Sequence, residues 1–100
     1  MNYRIVPSPD AEADFTLASW WYQQIDPNLA SRFMVESRAK LARIAQFPYQ
    51  FQLVNGAVRR ARLKRFPYGI YYSIDHDEVF ITAILHLRRS DDIWKQRSRR

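Results

Sequence analysis

At 100 residues, with 47% apolar and 26% charged side chains and no cysteine, the chain fits one compact domain over residues 1–100 and can form neither a disulfide nor a thiolate metal site. No apolar run reaches the roughly 18 residues of a membrane span, and Met1-Asn2-Tyr3-Arg4-Ile5 lacks the apolar stretch of a signal peptide, so a soluble cytoplasmic protein without membrane contact is expected. The net charge of +6 arises wholly in the second half: residues 1–53 balance five basic against five acidic side chains, whereas residues 54–100 carry eleven against five, a field that attracts nucleic acid or an acidic protein segment.

Tyr3 to Val6 reads as a short strand, since an aromatic precedes the β-branched pair Ile5 and Val6 and Pro7 interrupts the ladder. Ser8-Pro9-Asp10 starts a helix: Ser8 caps, proline suits the first helical position, and Asp10 and Glu12 favour the positive end. Ala11, Phe15, Ala18, Tyr22 and Ile25 form its apolar stripe. Asp26-Pro27 closes this helix and opens a second, with Ala30, Phe33, Met34, Leu41, Ile44 and Ala45 inward and Pro48 as its stop. So short a connection implies an antiparallel helical hairpin.

Beyond Pro48 the period changes to two. In Arg60-Ala61-Arg62-Leu63-Lys64 the apolar residues take one face and Arg60, Arg62 and Lys64 the other, as in a half-buried strand. Phe66-Pro67-Tyr68-Gly69 is a turn, and Ile70, Tyr72 and Ile74 line the next strand. Tyr71 and Tyr72 must point to opposite faces, one core and one surface. Asp75-His76-Asp77-Glu78 turns the chain into a last strand, Val79 to His86. Ser90 to Arg100 predicts a short helix with a frayed basic tail. The order is that of an α+β fold, β-α-α-β-β-β with a short C-terminal helix: an antiparallel sheet packed against the N-terminal helical hairpin, its other face bearing Arg60, Arg62 and Lys64.

Two further features concern chemistry. Trp20 and Trp21 cannot both face one core; Trp21 lies beside the apolar stripe and Trp20 is turned from it, available to a partner. Two histidines, no cysteine and scattered carboxylates give no metal constellation, and Asn55-Gly56 is an isolated turn signal, not a phosphate loop, so neither metal nor cofactor is expected.

The residues resemble the RelE/ParE family of toxins from bacterial type II toxin–antitoxin pairs. Tyr3 to Asp14 is similar to the family's opening strand and helix start, Val58 to Tyr72 to its central hairpin, and Ala83 to Arg89, with Trp94, to its final strand and C-terminal element. The resemblance implies a plasmid-stabilising toxin neutralised by a cognate antitoxin in a hetero-oligomer. ParE-like members act on DNA gyrase; RelE-like members cut mRNA on the ribosome; a degenerate member would only bind antitoxin. Cleavage by a 2′-hydroxyl needs cations around the phosphate and a proton-moving group. In a RelE-like reading Arg60, Arg62, Lys64, Arg88 and His86 fill these roles. Gly69 stands where RelE has an arginine, and Trp94 where it has a tyrosine; indole has no acid or base function near neutral pH. The departures favour the gyrase reading. The resemblance also implies an antitoxin contact over the helical hairpin and part of the basic sheet, with Trp20, Trp21, Arg59, Arg65, Arg89 and Trp94 as candidate contact residues; the bland reading of Trp94 packs it on the sheet.

Overall fold

The computed structural model describes residues 2–98. Strand β1 (Arg4–Pro7) leads into helix α1 (Pro9–Ile25), whose first turn is closed by Ser8 Oγ accepting the Ala11 N–H at 3.0 Å. Asp26 serves both helices: its own N–H donates to the Tyr22 carbonyl at 2.9 Å, and its carboxylate accepts the Asn28 N–H that opens α2 (Pro27–Gln46). A short 3₁₀ turn at Pro48–Gln50 follows. Then come β2 (Gln52–Asn55), β3 (Val58–Arg62), β4 (Tyr68–Asp75), β5 (Glu78–His86), a second 3₁₀ turn and α3 (Ser90–Ser98).

The strands form one sheet in the order β1-β5-β4-β3-β2. The helical hairpin covers one face with Ala11, Ala18, Phe33 and Ile44 against Ala61, Ile70, Tyr72, Val79, Ile81 and Ile84. The alanines let α1 lie close to the strands. Phe33, fully buried, is ringed by Phe15, Tyr22, Phe66 and Tyr68 with centroids 5.2–5.7 Å away, mostly edge-on or tilted geometries favoured by the aromatic quadrupole. On the other face α3 covers a smaller cluster of Val58, Tyr71, Ala83 and Trp94.

Five features depart from the sequence expectation. The sheet is mixed, because β1 runs parallel to β5 while every other pair is antiparallel. Gln52–Asn55 is an additional strand at the sheet edge; with Leu53 half exposed it lacks the alternation that would announce it, and Asn55-Gly56 is the turn that follows it, with Gly56 at φ +52°. Tyr71 and Tyr72 do take opposite faces, yet both are fully buried, since α3 closes the second face. Ile25 of the expected α1 stripe is exposed at the end of the helix, beyond the reach of the sheet. Thr82 is an extra residue in β5, where pairing shifts from Tyr71↔Ala83 to Tyr72↔Ile81.

Candidate functional site

The second face of the sheet carries the basic site. Arg60 pairs with Tyr71 and Arg62 with Gly69, so both arginines share the face with Tyr71 and Leu85, away from the hairpin. Gly69 suits a close approach: a Cβ there would lie 3.1 Å from both Arg60 Cγ and Leu87 Cδ2, a tight fit that those side chains would have to yield to, so glycine leaves room for the Arg60 stem to cross β4. Arg60 is half-buried, and its Nε and the Tyr71 hydroxyl are enclosed without a hydrogen-bond partner among the described atoms.

Lys64 does not complete this row. The β3 ladder ends at Arg62, because Leu63 and Phe66 both turn into the core and the Glu36 carboxylate of α2 accepts the backbone N–H groups of Lys64 and Arg65. The expected three-cation stripe is thus a pair, with Lys64 and Arg65 exposed in the β3–β4 loop. Arg59 faces the other way and ties β3 to the α2–β2 connection, donating to the Phe51 carbonyl at 2.7 Å and the Tyr49 carbonyl at 3.2 Å.

His86 is separated from the arginine pair. It is opposite Tyr68, on the hairpin side, and its ring meets Tyr68 edge-on at 5.4 Å. Its Nδ1 accepts the Arg88 N–H at 3.2 Å, which leaves the proton of the neutral ring on Nε2. Arg88 and Arg89 project into solvent from the 3₁₀ turn. Burial raises the Tyr68 hydroxyl pKa, with Arg89 acting in the opposite sense and Asp14 in the same sense.

Trp94 is a packing residue, stacked on Tyr71 with centroids 5.5 Å apart and only 2% exposed, so its indole is not presented to a partner. Arg97, expected in a frayed tail, is pinned instead; Arg99 and Arg100 lie outside the described residues. Its guanidinium holds Asp14 in a bidentate pair at 2.6 and 3.1 Å and donates to the carbonyl of the bulged Thr82 at 3.3 Å. This bond to Asp14 raises the arginine pKa, against the effect of burial. Asp14 also accepts the Ile84 N–H at 3.0 Å. A signal for this pair was present: Asp14 lies three residues after Ala11 and four before Ala18 on the inner face of α1, and a carboxylate so placed demands a cation.

On the outer side of α1 both tryptophans are exposed, Trp20 at 55% and Trp21 at 56%, with Leu17 and Ile25 also open. Trp21 therefore does not join the core; Tyr22 takes that direction and Trp21 falls into line with Leu17 and Ile25. Among the described residues no group of three His, Asp or Glu side chains could hold a metal, and no helix is long and apolar enough to cross a membrane.

The family model described as the ParE toxin of the type II toxin–antitoxin system, parDE, matches residues 5–91. The chain belongs to the ParE toxin family. Among solved structures, a chain of the chromosomal ParDE toxin–antitoxin system from P. aeruginosa shares the fold with a TM-score of 0.75 at 18% identity, over 84% of this chain and 95% of that one. No curated protein matches the chain. The stretch matched to ParE toxins contains the arginine pair, the exposed α1 tryptophans, His86, Arg88 and Arg89, and ends before Trp94 and Arg97.

Proposed function

We propose that this ParE-family toxin arrests growth by acting on DNA gyrase without cutting RNA, and that a cognate antitoxin neutralises it. The observation that carries the reading is the separation of His86 from Arg60 and Arg62 by the thickness of the sheet. Cleavage through a 2′-hydroxyl needs cations and a proton-transfer group around one phosphate. Here the arginine face offers the cations, while the titratable imidazole lies on the hairpin side and Tyr71, the phenol on the arginine face, is sealed beneath Trp94. The antitoxin segment is read as apolar along part of its length, because Leu17, Trp20, Trp21 and Ile25 form an exposed strip in a stretch, Phe15 to Ile25, without a charged residue.

Purified antitoxin-free toxin, added to a translation reaction programmed with ready-made mRNA, is expected to leave the message intact, and added to gyrase it is expected to inhibit supercoiling. Ribosome-dependent cuts in the mRNA would overturn the proposal in favour of an interferase, and the charge substitutions Arg60→Glu and Arg62→Glu should then abolish cutting. A toxin inert in both assays and harmless on expression would be a binding module only. Trp20→Ala with Trp21→Ala is expected to leave the unfolding midpoint unchanged and weaken antitoxin binding at least tenfold; unaltered affinity in the folded variant would remove the α1 contact.

A further inference from the structure

From Ser37 to Ile74 the sequence has eight basic side chains and no carboxylate, and the fold gathers part of this stretch where α2 passes into β2. Three cations lie over aromatic rings there: Lys40 Nζ is 5.5 Å from the Phe51 centroid, Arg43 Cζ 4.9 Å from that of Phe47, and Arg59 Cζ 5.2 Å from that of Tyr49. Such pairs occur about once per 70–80 residues in structures, so three at one connection is a marked concentration. Two of the rings are open to solvent, Phe47 at 50% and Tyr49 at 60%.

The backbone that carries the rings is also held in place. Pro48, buried between them, accepts the Tyr72 hydroxyl at 2.6 Å, and Arg59 holds the carbonyls of Tyr49 and Phe51. Arg43 Nε donates to Gln50 at 3.2 Å, and Tyr3 meets Tyr49 edge-on. Little backbone entropy would be lost on binding. Exposed rings beside cations, on a stretch of chain that carries no carboxylate, match a polyanion that also offers flat apolar faces. Unpaired nucleobases have such faces, whereas those of a duplex are already stacked on each other; an acidic peptide brings charge without them.

We propose that the α2–β2 connection binds single-stranded nucleic acid, with bases on Phe47 and Tyr49 and phosphates beside Lys40 and Arg43. The site is independent of the gyrase reading, since neither the arginine pair nor the α1 tryptophans contribute to it.

The test is fluorescence anisotropy of the full-length toxin with labelled oligothymidine, oligouridine, a duplex of the same length and a polyglutamate peptide of matched charge. Both single strands are expected to bind more tightly than duplex or peptide, and the ratio between them distinguishes a DNA from an RNA ligand. Phe47→Leu and Tyr49→Leu, at exposed positions, should keep the unfolding midpoint and each weaken single-strand binding about fivefold or more. Arg43→Gln should lower the slope of log affinity against log salt by about 0.7. The site is refuted by leucine variants that bind single strands like the wild type, by duplex binding of equal strength, or by tighter binding of polyglutamate, the last marking a docking surface for an acidic protein segment.

Discussion

The bond between Asp14 and Arg97 fixes α3 to the rest of the molecule, and its removal gives the sharpest stability test. The carboxylate accepts both arms of the guanidinium and the Ile84 N–H, with side-chain exposures of 12% for Asp14 and 17% for Arg97. Breaking a fully buried pair costs about 3–5 kcal/mol, because the remaining charge is stranded. Here the residual arginine keeps Asp10 at 3.7 Å and the Thr82 carbonyl at 3.3 Å, which brings the expected loss for Asp14→Asn to about 2 kcal/mol. With a urea slope of about 1–3 kcal/mol per molar, the midpoint should fall by about 1 M. Arg97→Met alone should cost a similar amount, and the double variant little more than either, a coupling of about 1–2 kcal/mol. Equilibrium urea unfolding followed by far-UV circular dichroism, with near-UV bands reporting the Trp94–Tyr71 stack, measures all four corners of the cycle. Additive losses, or an Asp14→Asn midpoint equal to the wild type, would show that the pair does not hold α3.

Tyr72 carries a pH prediction: burial pushes its pKa up to about 12, against the lowering effect of Arg59. The folded state retains a proton that the unfolded chain releases near pH 10, so stability is complete below that pH and falls by about 2–3 kcal/mol as the pH rises towards 12. Burial shifts Tyr22 and Tyr68 in the same direction. Tyr72→Phe should cost about 1 kcal/mol at neutral pH, leaving the Pro48 carbonyl without its donor, and should flatten the alkaline decline; parallel stability curves for variant and wild type across that range contradict the assignment. Phe33→Ala should remove about 3–5 kcal/mol from the middle of the aromatic cluster and leave a largely unfolded chain by circular dichroism, whereas a loss below about 1 kcal/mol would place the centre of the core elsewhere.

Much of the fold was legible because local signals agreed. Ser8-Pro9 and Asp26-Pro27 marked both helix starts, and the inward positions of α2, Ala30, Phe33, Ile44 and Ala45, are buried as their spacing implies. What stayed hidden depends on distant pairing. Nothing near Ile5 says that its neighbour is Val79 in a parallel strand, and nothing near Tyr71 says that Trp94 will cover it. The basic site was half legible: alternation found Arg60 and Arg62 but ran on to Lys64, because a carboxylate from α2, far away in sequence, stops the strand. No local signal keeps His86 apart from the arginines; the register alone puts a sheet between them. The ring-and-cation cluster escaped notice because its members, Lys40, Arg43, Phe47, Tyr49 and Arg59, fall on a helix end, a 3₁₀ turn and a strand that no single period connects.

The position of β5 between β1 and β4 sets the order in which this molecule can be completed as it is made. Strand β1 is made well before its neighbour, which begins only at Glu78, and until then the helical hairpin has only the β2–β4 part of the sheet to rest on. Long-range closure of this kind comes late in folding. A nascent chain stopped before Glu78 therefore lacks the strand that joins β1 to β4, and β1 has no place in the sheet until β5 has been made.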